Sequence, residues 1–285
     1  MKTGNFTGFE VSLRANGVAW FELNTPERMN GMTTAIKRDL IEAITQAQMD
    51  NAVRVVVFTG QGRAFCAGDD LKGYKGGQMA GNPLVDSIPG GHDNELGTYN
   101  GLRSISQQLN TTIRNLDKLT ICAINGIAIQ TGFSLALSCD FRIAAKSARM
   151  GSATLRFGLL PDEGGQYLLV RTLGLPKALD FLMRKKIVTA DEALALDLVH
   201  EVTADEDLPA AAMAMAEEFA QGPQVAMRLL KRSLYNAAEQ DWTHALDEIA
   251  SKTAISDHHP DAQEGVKAFI EKRDPQFNAW LEEQS

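Results

Sequence analysis

An apolar run that stops abruptly in glycine constrains this chain more than any other feature. Val53 to Thr59 reads VRVVVFT, Gly60-Gln61-Gly62 follows, and Arg63-Ala64-Phe65-Cys66-Ala67-Gly68-Asp69-Asp70-Leu71-Lys72 comes next. A short β-branched run bounded by turn residues reads as a buried strand. Small residues after a strand let the main chain come close to a ligand, and such a turn can aim a backbone N–H at an anionic oxygen. The same residues also suit a plain strand-to-helix connection. The choice depends on whether a second turn of this kind lies beside the first.

The remainder of the chain is built for a large core. With 285 residues and 44% hydrophobic composition, it reads as a globular protein of one large or two smaller domains. No window reaches the ~18 uninterrupted apolar residues that span a bilayer. The start, Met1 to Phe6, lacks the apolar stretch of a secretory signal, so a cytoplasmic location is expected. Cys66, Cys122 and Cys139 are odd in number, widely spaced and set among apolar residues. They read as free buried thiols, not disulfides or a metal cluster. The formal net charge of −8 disfavours nonspecific binding to nucleic acid or anionic membranes. An anionic small ligand needs only a local positive patch, for which Arg28, Lys72 and Lys75 are candidates.

Phe9–Arg14 and Val18–Leu23 read as a hairpin turning at Asn16-Gly17. Thr33 or Thr34 can cap a helix to about Asp50, with Ile36, Leu40, Ile41, Ile44 and Ala47 at helical spacing. The stretch 73–100 is irregular, and a loop of that length is expected to be a lid or binding loop. A helix from about Gly101 to Leu116, a strand from Leu119 to Ile124, a helix near Gly132 and a strand from Asp140 to Ala145 follow. This alternation argues for an α/β core with a parallel sheet. Beyond Gly164 the pattern is mainly helical, in seven segments ending near Lys272.

The second strand feeds Asn125-Gly126, then Gln130-Thr131-Gly132-Phe133-Ser134 and onward to Cys139-Asp140. Thr131-Gly132 lies where a helix begins, and the free N–H groups there favour negative charge. Two donors from two turns could hold one oxyanion. At this point the chain resembles the crotonase (enoyl-CoA hydratase/isomerase) family over nearly its whole length, from Leu23–Asn30 to Phe277. The motifs are Phe65–Lys72, Asn125-Gly126 through Asp140, and Pro161-Asp162-Glu163-Gly164-Gly165. The resemblance implies a core of ββα turns forming a superhelix, taken as residues 1–200. A helical region, 201–285, would serve packing and oligomerisation as a homotrimer or dimer of trimers. It implies an acyl-CoA substrate and a thioester enolate held by the N–H groups of Asp69 and Thr131. No metal or redox cofactor is implied. The CoA moiety is expected along Arg28, Met29, Ala64, Phe65, Ala67 and Leu71, with Phe277 closing its site, often in an adjacent subunit. Threonine at 131, where the family often has glycine, narrows the pocket.

Hydratases of the family use two glutamates, whose positions here are Ser134 and Thr154. Neither hydroxyl is a useful base at neutral pH without an activating partner. The nearest replacement is Asp162, in the Pro-Asp-x-Gly setting of the single-carboxylate 3-enoyl-CoA/2-enoyl-CoA isomerases. It would be the acid/base, with Glu163 the runner-up. Asp162 also suits a helix N-cap. Hydration, thioester hydrolysis, carbon–carbon cleavage and a non-catalytic CoA-binding role stay open. Gly132-Phe133-Ser134-Leu135-Ala136 resembles a loosened nucleophile elbow, but Ser134 falls within a helix and not at a strand-to-helix tip. His92 lies in the long loop, and His258-His259-Pro260-Asp261 lacks a third metal ligand at convincing spacing.

Overall fold

A computed structural model of the chain describes residues 1–70, 84 and 94–282. The expectations for Leu71, Lys72, Lys75 and His92 lie outside the described residues. Strands run in chain order as β1 (Gly4–Phe6), β2 (Phe9–Arg14), β3 (Val18–Leu23), β4 (Val55–Gly60), β5 (Ala64–Cys66) and β6 (Leu119–Ile124). They continue as β7 (Ile127–Ile129), β8 (Phe141–Ala145), β9 (Arg149–Gly151), β10 (Ile187–Thr189) and β11 (Glu201–Thr203). A larger sheet has the order β1-β2-β3-β4-β6-β8-β11, and a smaller one β10-β9-β7-β5. From β3 to β11 the larger sheet is parallel.

The two sheets are linked by a repeat. Three times the chain leaves the larger sheet, adds a strand to the smaller one within a few residues, and returns through helix. The pairs are β4 to β5, β6 to β7 and β8 to β9. This is the ββα superhelix expected from the family resemblance. The smaller sheet's strands of three residues each carry too little alternation to stand out in sequence.

Early helices are α1 (Thr34–Met49), α2 (Glu95–Gly101), α3 (Gln107–Asn115), α4 (Thr131–Ser138), α5 (Gly165–Leu173), α6 (Leu175–Met183) and α7 (Ala190–Ala195). The C-terminal block holds α8 (Leu208–Gln221), α9 (Gln224–Ala237), α10 (Trp242–Asp257), α11 (Pro260–Glu271) and α12 (Ala279–Glu282). Thr33 caps α1 by accepting from the Ile36 N–H. The helix expected from about Gly101 to Leu116 is present as part of a continuous helical run from α2 to α3, with a π-helical turn at Leu102–Ser106. That turn directs Ser106 inward, where it is 4% exposed. Among the described residues no helix is long and apolar enough to cross a membrane.

Every residue of β4 is buried, so its sequence is apolar without alternation. Val56 and Phe58 face the main core, with Phe21, Leu40 and Ile44. Val55 and Val57 face the opposite layer, where Leu208, Ala212, Ala216 and Ala220 of α8 cover them. A parallel sheet covered on both faces produces this pattern. The residue-200 division expected from sequence falls just before β11, which is hydrogen-bonded to β8 in the larger sheet. Asp140 fastens α9 to that sheet. Its carboxylate accepts from Lys231 Nζ at 2.7 Å, Tyr235 Oη at 2.7 Å and the Thr120 N–H at 2.8 Å.

The loop between β3 and α1 is pinned by Asn30. Its amide donates to the Gln61 carbonyl at 3.0 Å and the Ala64 carbonyl at 2.7 Å, and its Oδ1 accepts from the Thr25 N–H at 2.9 Å. Asn30 is 2% exposed and lies at φ 53°, a left-handed conformation that asparagine tolerates better than most residues. Asn30→Ala is expected to cost about 2 kcal/mol or more, because buried partners lose their bonds and the backbone is strained. Urea unfolding of the two proteins measures this, and an unchanged midpoint would contradict it.

Candidate active site

Parallel pairing of β5 with β7 brings two distant turns together. Ala64 is opposite Ile127 and Cys66 opposite Ala128. The backbones approach so closely that a Cβ at Gly126 would lie 2.2 Å from the Arg63 carbonyl oxygen. One at Gly132 would lie 2.1 Å from that of Cys66. The loop before α1 then holds the first turn residue by residue. Ala67 N–H donates to the Met29 carbonyl at 3.0 Å, Met32 N–H to Gly68 at 2.9 Å, and Asp70 N–H to Met32 at 2.8 Å. The Asp69 N–H takes no part in these bonds.

In the second turn Thr131 is the first residue of α4, so its N–H has no partner within the helix. Among the described residues neither the Asp69 nor the Thr131 N–H has an acceptor. The two turns are also latched by side chains, because Thr131 Oγ1 donates to Asp69 Oδ1 at 2.9 Å. Gln130, just before the helix, adopts φ 50° and ψ −103°. This strained backbone is held by its N–H on the Gly151 carbonyl at 3.1 Å and by Ser152 Oγ on its Oε1 at 2.8 Å. Two open backbone N–H groups beside a helix N-terminus can stabilise a developing oxyanion.

Behind the turns lies a buried charge cluster. Lys37 of α1 has no exposed surface. Its Nζ meets Asp69 Oδ1 at 2.7 Å, Glu163 Oε1 at 2.5 Å and Ser106 Oγ at 3.0 Å. Glu163 is 2% exposed. Burial pushes its carboxyl up to about 7, and the Asp69 carboxylate adds to the rise while Lys37 opposes it. Lys37 is the site residue that sequence reading missed. The signal was present: residues 37, 40, 44 and 47 share one helical stripe, and Leu40, Ile44 and Ala47 are all buried. A lysine on a core-facing stripe needs a buried partner.

The adjacent carboxylates diverge at the start of α5. Asp162 is exposed, with its carbonyl held by Gln107 Nε2 at 3.0 Å. Glu163 turns inward to Lys37, and Asn110 Nδ2 holds its carbonyl at 3.0 Å. Ser134 is 2% exposed and packs against Gly165. Thr154 Oγ1 lies 3.3 Å from Ser152 Oγ.

Of the residues expected to line a CoA site, Met29 and Ala67 are joined by the Ala67 N–H bond to the Met29 carbonyl, and Phe277 lies in a separate part of the chain. Arg28 pairs with buried Asp70 at 2.7 Å, so that its charge also braces the first turn. Met29 Sδ accepts from Arg63 Nε at 2.8 Å. Ala64 and Phe65 are buried, and Ala67 is partly exposed. Phe277 lies in the C-terminal block, in contact range of Gly265 on α11.

Paired sheets that deliver two open N–H groups to one place define an α/β protein able to hold an oxyanion. Comparison with known proteins gives the family. Residues 14–280 match Enoyl-CoA hydratase/isomerase. The chain belongs to that family, an enzyme family of the crotonase superfamily that acts on acyl-CoA substrates. It is 34% identical over 272 residues to a 1,2-epoxyphenylacetyl-CoA isomerase of Escherichia coli, covering 94% of this chain and 98% of that one. It is 32% identical to a probable enoyl-CoA hydratase of Rhodobacter capsulatus, covering 94% and 96%. The crystal structure of an enoyl-CoA hydratase from Bacillus anthracis superimposes with a TM-score of 0.85 at 31% identity, covering 95% and 98%.

Glu163 makes stability depend on pH. Its carboxyl is raised in the fold from an ordinary value of 4.5 to about 7. A raised acid contributes stability that is fully present below its unfolded value and lost as pH rises through its folded value. Denaturant midpoints of the wild type are therefore expected to fall between about pH 5 and 8, and Glu163→Gln to flatten that fall. Parallel curves for the two proteins would refute the assignment.

Proposed function

We propose that the protein moves the double bond of a 3-enoyl-CoA to the 2-position, with Asp162 as a single proton carrier. The Asp69 and Thr131 N–H groups bind the thioester oxygen. The Asp162 carboxylate removes a proton from the α-carbon, and the electrons pass into the thioester as an enolate. The same carboxyl then returns that proton to the γ-carbon as the double bond re-forms between the α- and β-carbons. No electrons are gained or lost, and no cofactor beyond the substrate's own CoA is required.

The observation that carries this reading is the opposite disposition of two neighbouring carboxylates. Glu163 is committed to Lys37 in the interior, whereas Asp162 is exposed at the entry to α5. Hydroxyl residues at Ser134 and Thr154 support one-carboxylate chemistry over hydration, which needs a second acid or base. The Escherichia coli relative is itself named as an acyl-CoA isomerase. Association with further copies of the chain is part of the reading. Exposed Leu230, Leu234, Trp242, Ile249, Phe269 and Ile270 on α9 to α11 supply an apolar surface for it.

Asp162→Asn is expected to lower kcat for 3-enoyl-CoA isomerisation by about 10²–10⁴-fold with little change in KM. Crotonyl-CoA hydration by the wild type is expected to be slow beside isomerisation. Undiminished isomerisation in the variant would remove Asp162 from the mechanism, and fast hydration would replace the reaction assigned.

A further inference from the structure

We infer that Lys37 is a positioning residue that sets the spacing between the two oxyanion donors and the carboxylate-bearing turn. This rests on the isomerase reading of the site and extends it to a residue remote from the reacting atoms. One ammonium joins three segments that must be held in register. Asp69 carries the first donor, and its carboxylate receives Lys37 at 2.7 Å. The same carboxylate receives Thr131 Oγ1 at 2.9 Å, so the second donor's residue is tied to the first. Glu163, which receives Lys37 at 2.5 Å, is the residue after Asp162. Ser106, at 3.0 Å, precedes Gln107, which holds the Asp162 carbonyl at 3.0 Å.

The physical case is one of charge balance. Asp69 and Glu163 are like-charged when both ionised, and Glu163 is buried. A cation between them lets both approach the same point while ionised. Cys66, a further titratable group facing this cluster among the described residues, is fully buried, and its thiol is pushed up to about 12, so it supplies no charge at neutral pH. Removing the ammonium cuts the Asp69 carboxylate from its buried anchor, whether or not Glu163 keeps its charge, and leaves it held by Thr131 Oγ1. The partly exposed Asp69 side chain then turns to water and takes its backbone with it. The donor N–H moves while the surrounding sheet, held by main-chain pairing, does not.

The test uses a conjugated 2,4-dienoyl-CoA, whose absorbance shifts to the red when its thioester carbonyl is polarised by the two donors. This readout reports the donors' geometry without any proton transfer. Three variants are compared with the wild type. Lys37→Met removes the cation. Lys37→Met/Glu163→Gln removes it without leaving an ionisable acid in the interior, so the fold is retained. Asp69→Ala keeps the donor N–H but cuts its side-chain ties at a partly exposed position. All are expected to bind the dienoyl-CoA within about threefold of wild type, because the CoA contacts persist. Each is expected to lose most of the red shift, and kcat for isomerisation to fall about 100-fold, as for an ångström-scale misplacement. A folded double variant or Asp69→Ala with full red shift and wild-type kcat would overturn the inference and leave Lys37 a purely structural residue. A wild type that binds the probe with neither red shift nor isomerisation would overturn the functional reading itself.

Discussion

The parallel pairing of β5 on β7 is the contact on which the rest of the site depends. Each strand is only three residues long, yet each ends in a turn that carries an open N–H. The approach is closest where Gly126 meets Arg63 and Gly132 meets Cys66, at distances no side chain would permit. A larger residue at either position would push the turns apart and separate the donors. The larger sheet supplies the platform for this contact. Its strands β4 and β6 are neighbours in register, so the chain leaving each one enters the smaller sheet side by side.

Buried charge is used here as a cross-link between elements far apart in sequence. Lys37 reaches Glu163, and Lys231 reaches Asp140. In both cases the ammonium has a further partner, and so does the Asp140 carboxylate, whereas Glu163 Oε2 is buried without a hydrogen-bond partner among the described residues. Paired and hydrogen-bonded charges of this kind add little net stability, but an unpaired one is costly, so they penalise wrong arrangements strongly. That makes them suited to fixing geometry. At the start of α5 the same logic separates two adjacent carboxylates: one is drawn into the interior by Lys37 and the other is left facing outward.

Much of the architecture was legible in local pattern. The Asn16-Gly17 turn, with both residues at positive φ, and the helix capped by Thr33 follow from short-range chemistry. The strand Leu119–Ile124 has the expected bounds. The smaller sheet was visible only through the family resemblance, because its strands are too short to show a period. The π-helical turn within the expected Gly101–Leu116 helix was not legible either. Within it Ser106 accepts from Lys37, which comes from another part of the chain. For the site, the glycine-rich turns and the Pro-Asp-Glu-Gly-Gly segment stood out by composition. Lys37 did not, since a lysine in an amphipathic helix ordinarily reaches water.

The sequence by itself determined the alternation of strands and helices and the two small-residue turns. These are properties of neighbouring residues, and neighbouring residues decide local conformation and local chemistry. Tertiary structure alone decided which carboxylate of the Asp162-Glu163 pair faces inward and which cation meets it. Lys37 and Glu163 are 126 positions apart, and Asp69 and Thr131 are 62 apart. Pairings over such separations are set by how helices and sheets pack, which no local pattern records.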